Sequence, residues 1–135
     1  MHKQYRILCL ILLLALSTSA REKKLLSLED KFARFARKFF SEEKYQLDHV
    51  EFPLHYEWND GDSTYSIEMD RESYPLRLNT DGNFGFSEQL TVTVEVSPDT
   101  SRYLIEGYES GIYENYSFVF DGTTWWLVRL FVKAY

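Results

Sequence analysis

From residue 28 onward the apolar positions first recur with a helical period and then with a strand period. Leu28, Phe32, Phe35 and Phe39 follow one another at spacings of four, three and four, with Ala36 in the same stripe, while Lys31, Arg34, Arg37 and Lys38 take the other faces. One face of a 3.6-residue period is thus apolar, which predicts helix over 27–48. Ser27 is the expected N-cap, with Glu29 and Asp30 near the positive end of the helix dipole. Ser41, followed by Glu42 and Glu43, reads as a second cap restarting a short helix through Leu47. Burying each large side chain is worth about 1.5–3 kcal/mol, so the phenylalanine stripe must face a core.

After His49 the period drops to two. Val50, Phe52, Leu54, Tyr56 and Trp58 alternate with Glu51, Pro53, His55, Glu57 and Asn59, which is strand alternation. Pro53 cannot donate to a ladder, so it places the strand at an edge or itself at a bulge. Turn chemistry at 60–63 leads to a second strand (Tyr65, Ile67, Met69); 71–89 is irregular; Leu90, Val92, Val94 and Val96 mark a third, and 102–109 a weaker fourth. YENYSFVF (113–120) and TTWWLVRLFVKAY flank Asp121-Gly122, a hairpin signal in which both turn residues are expected at positive φ. Helices followed by about six strands predict α+β: N-terminal helices on one face of an antiparallel sheet.

On strict alternation the last strand is apolar on both sides. Trp126, Val128, Leu130, Val132 and Ala134 form one face; Trp125, Leu127 and Phe131, interrupted by Arg129 and Lys133, form the other. One helical layer covers only one of them, so the other must be central or covered by a partner. The uncovered face would expose Trp125, Leu127 and Phe131 or their even-numbered neighbours; unless sheet curvature buries part of it and 71–89 folds across the rest, a two-fold homodimer through sheet faces is the simplest closure.

The first twenty residues change the picture. Lys3 and Arg6 precede an apolar run from Ile7 to Leu16, and Thr18 and Ala20 are small residues before a cleavage point. This is a secretory leader (1–20) ahead of a single domain (21–135); a membrane span needs about 20 apolar residues, twice this run. After cleavage Cys9 is gone, so export without disulfides points to a bacterial periplasm or the cell exterior, and Arg21 stands where a lipid-anchor cysteine would be. Losing Lys3 and Arg6 leaves 13 basic residues against 21 acidic ones, a net charge of −8. Phosphate backbones and anionic membrane surfaces repel such a chain, so neither nucleic acid nor membrane is expected as partner.

The richest stretch for chemistry is HVEFPLHYEW (49–58). His49, Glu51, His55 and Glu57 fall on one strand face, but the two histidines lie about 20 Å apart on an extended chain and no cysteine completes a zinc set. It reads as a solvated strand face. RLNTDGNFGFSE (77–88) places Asn79, Asp81, Gly82 and Glu88 at calcium-loop positions, but Arg77 occupies the position that needs a carboxylate, and flanking helices are missing; it reads as a surface loop. Asn115-Tyr116-Ser117 fits a glycosylation sequon, relevant only in a eukaryotic secretory pathway. No nucleophile motif or phosphate cradle occurs, so no catalytic residue, cofactor or metal is assigned. Aromatic residues make up 17% of the chain and cluster late, at Tyr103, Tyr108, Tyr113, Tyr116 and Trp125; rings with a polar handle suit sugar or peptide binding, and equally suit an ordinary sheet.

FARFARKFFSEEKYQLDHVEFPL (32–54) and ENYSFVFDGTTWWLVRLFV (114–132) resemble the two ends of a family of exported bacterial proteins of uncharacterised function, similar to the nuclear transport factor 2-like (cystatin-like) superfamily. The shared pattern is aromatic-Gln-x-x-x-Val-x-Phe-Pro-Leu, then Gly-x-x-Trp-x-Leu, within a region from about Leu28 to Phe131. The resemblance implies a cone of curved sheet wrapped on the N-terminal helices, with Phe52, Pro53, Leu54, Gly122, Trp125 and Leu127 in packing and turns. Family members often carry a lipid-anchor cysteine, which this chain lacks. The expectation is a non-enzymatic module of the bacterial envelope that binds a small molecule or an envelope protein, with Arg129, Trp125 and Tyr116 as candidate ligand-binding residues. Arg129 would anchor an anion or pair with an acidic neighbour. A small isomerase or hydratase, needing an acid in an apolar pocket, and a carbohydrate-binding module are the alternatives.

Overall fold

The computed structural model describes residues 28–133; the leader over 1–20, Ser27 and Ala134 lie outside the described residues. The chain divides into two compact units, 1–33 and 34–135. Of the first unit the described part is the helical start at 28–33, with Phe32 buried.

The phenylalanine stripe forms helix α1 (28–39), and α2 follows at Glu43–Asp48. The cap between them differs from expectation. Glu42 is the N-cap of α2 without a side-chain bond, and the Ser41 hydroxyl turns back to donate to the Lys38 carbonyl at 3.3 Å. Six strands follow: β1 (Val50–Asn59), β2 (Thr64–Met69), β3 (Thr91–Glu95), β4 (Thr100–Glu106), β5 (Tyr113–Phe120) and β6 (Trp125–Lys133). They form one sheet in the order β2-β1-β6-β5-β4-β3. Every pairing is antiparallel except β1 with β6, which is parallel, so the sheet is mixed. Pro53, on a cis peptide bond, lies in the stretch where the β1–β6 register shifts between Val50 and His55. It therefore takes the bulge option, and β1 lies inside the sheet.

Phe35, Phe39 and Phe40 pack on one face of the sheet, here the inner face. Their rings meet Trp125 (5.6 Å), Phe118 (5.1 Å) and Tyr116 (5.1 Å) respectively. Phe84 closes on Phe40 and Tyr103 from the irregular segment. These tilted and edge-on arrangements are what ring quadrupoles favour.

A bulge in β6 overturns the expected faces of the last strand. Leu127 pairs with Phe118 but Arg129 pairs with Ser117, leaving Val128 as the extra residue. Trp125 and Leu127 therefore face the helices together with Leu130, all three buried. Arg129 and Phe131 turn to the opposite, outer face with Trp126 and Val128. A patch of Trp125 and Leu127 therefore does not form; the outer face carries their even-numbered neighbours Trp126 and Val128 together with Phe131 instead. The β5–β6 turn also differs: Gly122 has φ 99°, but Asp121 is not in the left-handed region. Asp121 instead holds the loop through its carboxylate, accepting from the Thr123 and Thr124 amides at 2.8 Å each and from the Trp126 indole at 2.8 Å.

Candidate functional site

Two polar centres occupy the two faces of the sheet. The inner one begins with Glu114, which shares the alternating face of β5 with Tyr116 and Phe118 and is buried. Arg77 grips it with both prongs: Nε donates to Oε2 at 3.0 Å and Nη2 to Oε1 at 2.5 Å, while the Tyr116 hydroxyl donates to Oε2 at 3.3 Å. Burial pulls the Arg77 pKa down, but the hydrogen bonds and charge of Glu114 outweigh it and hold the guanidinium above its ordinary value. Burial, then the Glu114 charge, pushes the Tyr116 and Tyr74 hydroxyls up, so both stay neutral donors. Gln46, fully buried, completes the centre. Its Nε2 donates to the Phe39 and Arg77 carbonyls (2.7 and 2.8 Å), and its Oε1 accepts from the Tyr74 hydroxyl (2.9 Å) and the Arg77 amide (3.2 Å). Pattern reading missed both Gln46 and Glu114. The Gln of the aromatic-Gln-x-x-x-Val pattern and the Glu-x-Tyr-x-Phe alternation at 114–118 were the available signals.

On the outer face, the cross-strand registers align side chains in rows. One row runs Asn59, Lys133, Tyr113, Glu106, Thr91 at one end of five strands. With Phe131 and the 107–112 loop it bounds a groove of about 710 Å³, also lined by Tyr108 and Ile112. Tyr113 meets Phe131 edge to face at 6.0 Å, and Tyr108 is fully exposed. Glu88 fixes the loop: Oε2 accepts from the Glu109 and Ser110 amides at 3.0 Å each, and Oε1 accepts from the Ser110 hydroxyl. A methyl on Gly107 would collide with that carboxylate and hydroxyl.

Four residues further along each strand, a second row runs Glu68, His55, Arg129, Ser117, Arg102, Glu95. His55 bonds Glu68 through Nδ1 and Glu57 through Nε2, both at 3.0 Å, and Arg129 donates to Glu57 at 2.7 Å. Two carboxylates accepting from one ring require the doubly protonated imidazole. Accordingly the Glu68 and Glu57 hydrogen bonds raise the His55 pKa, and those from Arg129 and then His55 lower the Glu57 pKa.

The sequence candidates therefore separate. Tyr116 and Trp125 lie in the packed inner face, whereas Arg129 stands on the outer face, paired with Glu57. His49 leaves the strand face altogether: it stacks on Tyr45 at 4.0 Å and lies near Trp126 at 5.6 Å. In the 77–88 loop, Asn79 and Asp81 accept from the loop's own amides, Asn83 accepts from the Leu90 amide just beyond it, and Glu88 accepts from Glu109 and Ser110. Asn115 sits mid-strand on β5 with a buried amide oxygen, so the sequon is built into the sheet. No helix among the described residues is long and apolar enough to cross a membrane.

No protein-family model matches the sequence, and no curated protein matches it. Among solved structures, the chain is similar to a nuclear transport factor 2-like protein from Bacteroides fragilis NCTC 9343, with a TM-score of 0.55 and 15% identity, over 78% of this chain and 47% of that one. The chain thus spans about half the length of that structure. It is also similar to such a protein of unknown function from Silicibacter pomeroyi DSS-3 (TM-score 0.44, 11% identity, 87% of this chain and 98% of that one). A third, with a cystatin-like fold, comes from Novosphingobium aromaticivorans (TM-score 0.43, 14% identity, 85% and 86%). The fold is nuclear transport factor 2-like, as the sequence resemblance implied, and the Bacteroides likeness carries that statement; at this identity it speaks of the fold alone.

Proposed function

We propose that this protein is a non-enzymatic binding module of the bacterial envelope, exported by its leader, whose ligand occupies the groove between the 107–112 loop and the outer sheet face. One observation carries the reading. The groove's volume of about 710 Å³ lies within the roughly 300–1,000 Å³ of small-molecule sites, and it combines rings with a few polar groups, the usual composition of such sites. Tyr113 and Phe131 offer ring surfaces against which a pyranose can stack, while Asn59, Thr91, Glu106 and Lys133 offer polar partners for hydroxyls. A saccharide or similarly polyhydroxylated ring is the ligand class this lining favours.

The isomerase or hydratase reading has one observation in its favour, the buried carboxylate of Glu114. Against it, the Arg77 fork and the Tyr116 hydroxyl occupy both oxygens of that carboxylate, leaving it without the open approach that an acid–base group needs. The test is a saccharide array followed by titration of Tyr113→Ala and Phe131→Ala. Binding that both substitutions abolish, with the fold intact by circular dichroism, is the expected result. A hit insensitive to both would remove the groove from the proposal.

A further inference from the structure

We infer that the Arg102–Ser117–Arg129 row beside the groove holds the anionic group of the ligand, so that the protein takes an acidic saccharide, a sugar ring carrying a carboxylate or sulfate. The inference rests on the groove reading and deepens it. A second cleft of about 340 Å³ opens on the same face, lined by Glu57, Arg102, Tyr113, Asn115, Ser117, Arg129 and Phe131. It shares Tyr113 and Phe131 with the groove, so one ligand can span both.

Its geometry suits an oxyanion. Arg102 and Arg129 pair with Ser117 from opposite sides. Two strand spacings separate their backbones, about 10 Å, and long side chains leaning inward from that distance can share one anion. Ser117 lies between them with a hydroxyl to donate. Asn115, two residues along the same strand face, has a buried amide oxygen that meets no partner among the described residues. With that oxygen buried, the Nδ2 of the same amide is the atom that can donate to a ligand in the cleft that Asn115 lines.

The charges agree. Arg129 is already neutralised by Glu57 at 2.7 Å. Arg102 forms no ion pair among the described residues, although Glu95 is its cross-strand neighbour. The cleft therefore keeps one positive charge in a protein whose net charge is −6. Guanidinium is the cation suited to carboxylate and sulfate, because its planar fork presents parallel donors. Half of the Arg129 side chain remains exposed, so the bond to Glu57 leaves donors for a ligand.

The test uses the full chain and two kinds of probe. Sodium sulfate, titrated at constant ionic strength, is followed through the Ser117 amide and the Arg102 and Arg129 Nε–H signals by NMR. The expected result is saturable shifts that Arg102→Gln abolishes. Trigalacturonate and its neutral methyl ester are then compared by calorimetry. The acid is expected to bind at least about tenfold more tightly, and Arg102→Gln should bring the two together, since a hydrogen bond to a charged group carries that much. Equal affinity of acid and ester, with both lost in Tyr113→Ala, would overturn the anionic subsite while keeping the groove. Saturable sulfate binding with no binding of either saccharide would overturn the acidic saccharide and fail the groove reading itself.

Discussion

Gln46 and Tyr74, twenty-eight residues apart, share a hydrogen bond of 2.9 Å in the interior, Tyr74 donating to the Gln46 amide oxygen. The same side chain reaches Phe39 at the end of α1 and both backbone groups of Arg77. One buried amide thus ties helix, loop and the Glu114 centre together, with its full donor and acceptor capacity in use. Gln46→Leu keeps the bulk but strands a hydroxyl, an amide and two carbonyls. Each unsatisfied buried group costs about 1–3 kcal/mol, and partial relaxation makes a total of about 3–4 kcal/mol the expected loss. Urea unfolding monitored by tryptophan fluorescence would measure it; a loss under 1 kcal/mol would show that the loop rearranges freely around the site.

Arg77 and Glu114 should be strongly coupled. Arg77→Met leaves a carboxylate inside with the Tyr116 hydroxyl as its remaining donor, and breaking a buried pair from one side costs about 3–5 kcal/mol. Replacing both partners, Arg77→Met with Glu114→Leu, removes the stranded charge and should recover most of that loss. A double-mutant cycle gives the answer directly: additive losses would contradict the coupling that the bidentate geometry implies.

The outer-face chain from Glu68 through His55 and Glu57 to Arg129 should make stability depend on pH in two opposite senses. His55 has a raised pKa, so its contribution is complete below the unfolded value of about 6.5 and is lost as pH rises through the folded value. Glu57 has a lowered pKa, so its contribution is complete above the ordinary 4.5 and is lost as pH falls through the folded value. The cluster therefore stabilises most between about pH 5 and 6.5. His55→Gln should remove the upper limb, with a stability difference from the parent that shrinks between pH 6 and 8. The pair is partly exposed, so the difference should stay below about 1 kcal/mol. A difference constant across that range would mean His55 is not charged in the fold.

The period change near His49 marked the boundary between helices and sheet, and alternation located all six strands, because burial on one face imposes a period of two. The resemblance supplied the fold around them. Face assignment on β6 was not legible. A single extra residue at Val128 reverses the alternation between Leu127 and Leu130; both of these are apolar, and the lone charge between them, Arg129, fits the strict alternation as well as the bulged one, so no polar position marks the slip. That slip is why Trp125 and Arg129, two odd-numbered residues of one strand, end on opposite faces. Arg129 with an acidic partner was foreseeable as one of two outcomes. Its place in a row with Ser117 and Arg102 depends on the registers of β4, β5 and β6, which no local pattern specifies. Glu88 matches a calcium-loop position in a segment that reads as a surface loop, and its attachment to Glu109 and Ser110, more than twenty residues away, is equally non-local.

That attachment yields the last prediction. The 107–112 loop forms one wall of the groove, and the Glu88 carboxylate is what its backbone amides at Glu109 and Ser110 bind. Glu88→Ala releases both amides and the Ser110 hydroxyl while leaving the inner face untouched. The cost to global stability should be modest, about 1–2 kcal/mol, because these bonds are solvent-accessible and water can replace them. The local effect should be much larger. Amide exchange at Glu109 and Ser110 should accelerate by tenfold or more, about the factor that 1.4 kcal/mol of local opening produces, while the amides of β5 and β6 keep their protection. Gly107→Ala should act in the same direction, since its methyl would displace the same carboxylate. Hydrogen exchange read by mass spectrometry resolves the loop from the strands. Unchanged protection at 109 and 110 in Glu88→Ala would mean that the β4–β5 connection holds its own shape, and the groove would then owe nothing to Glu88.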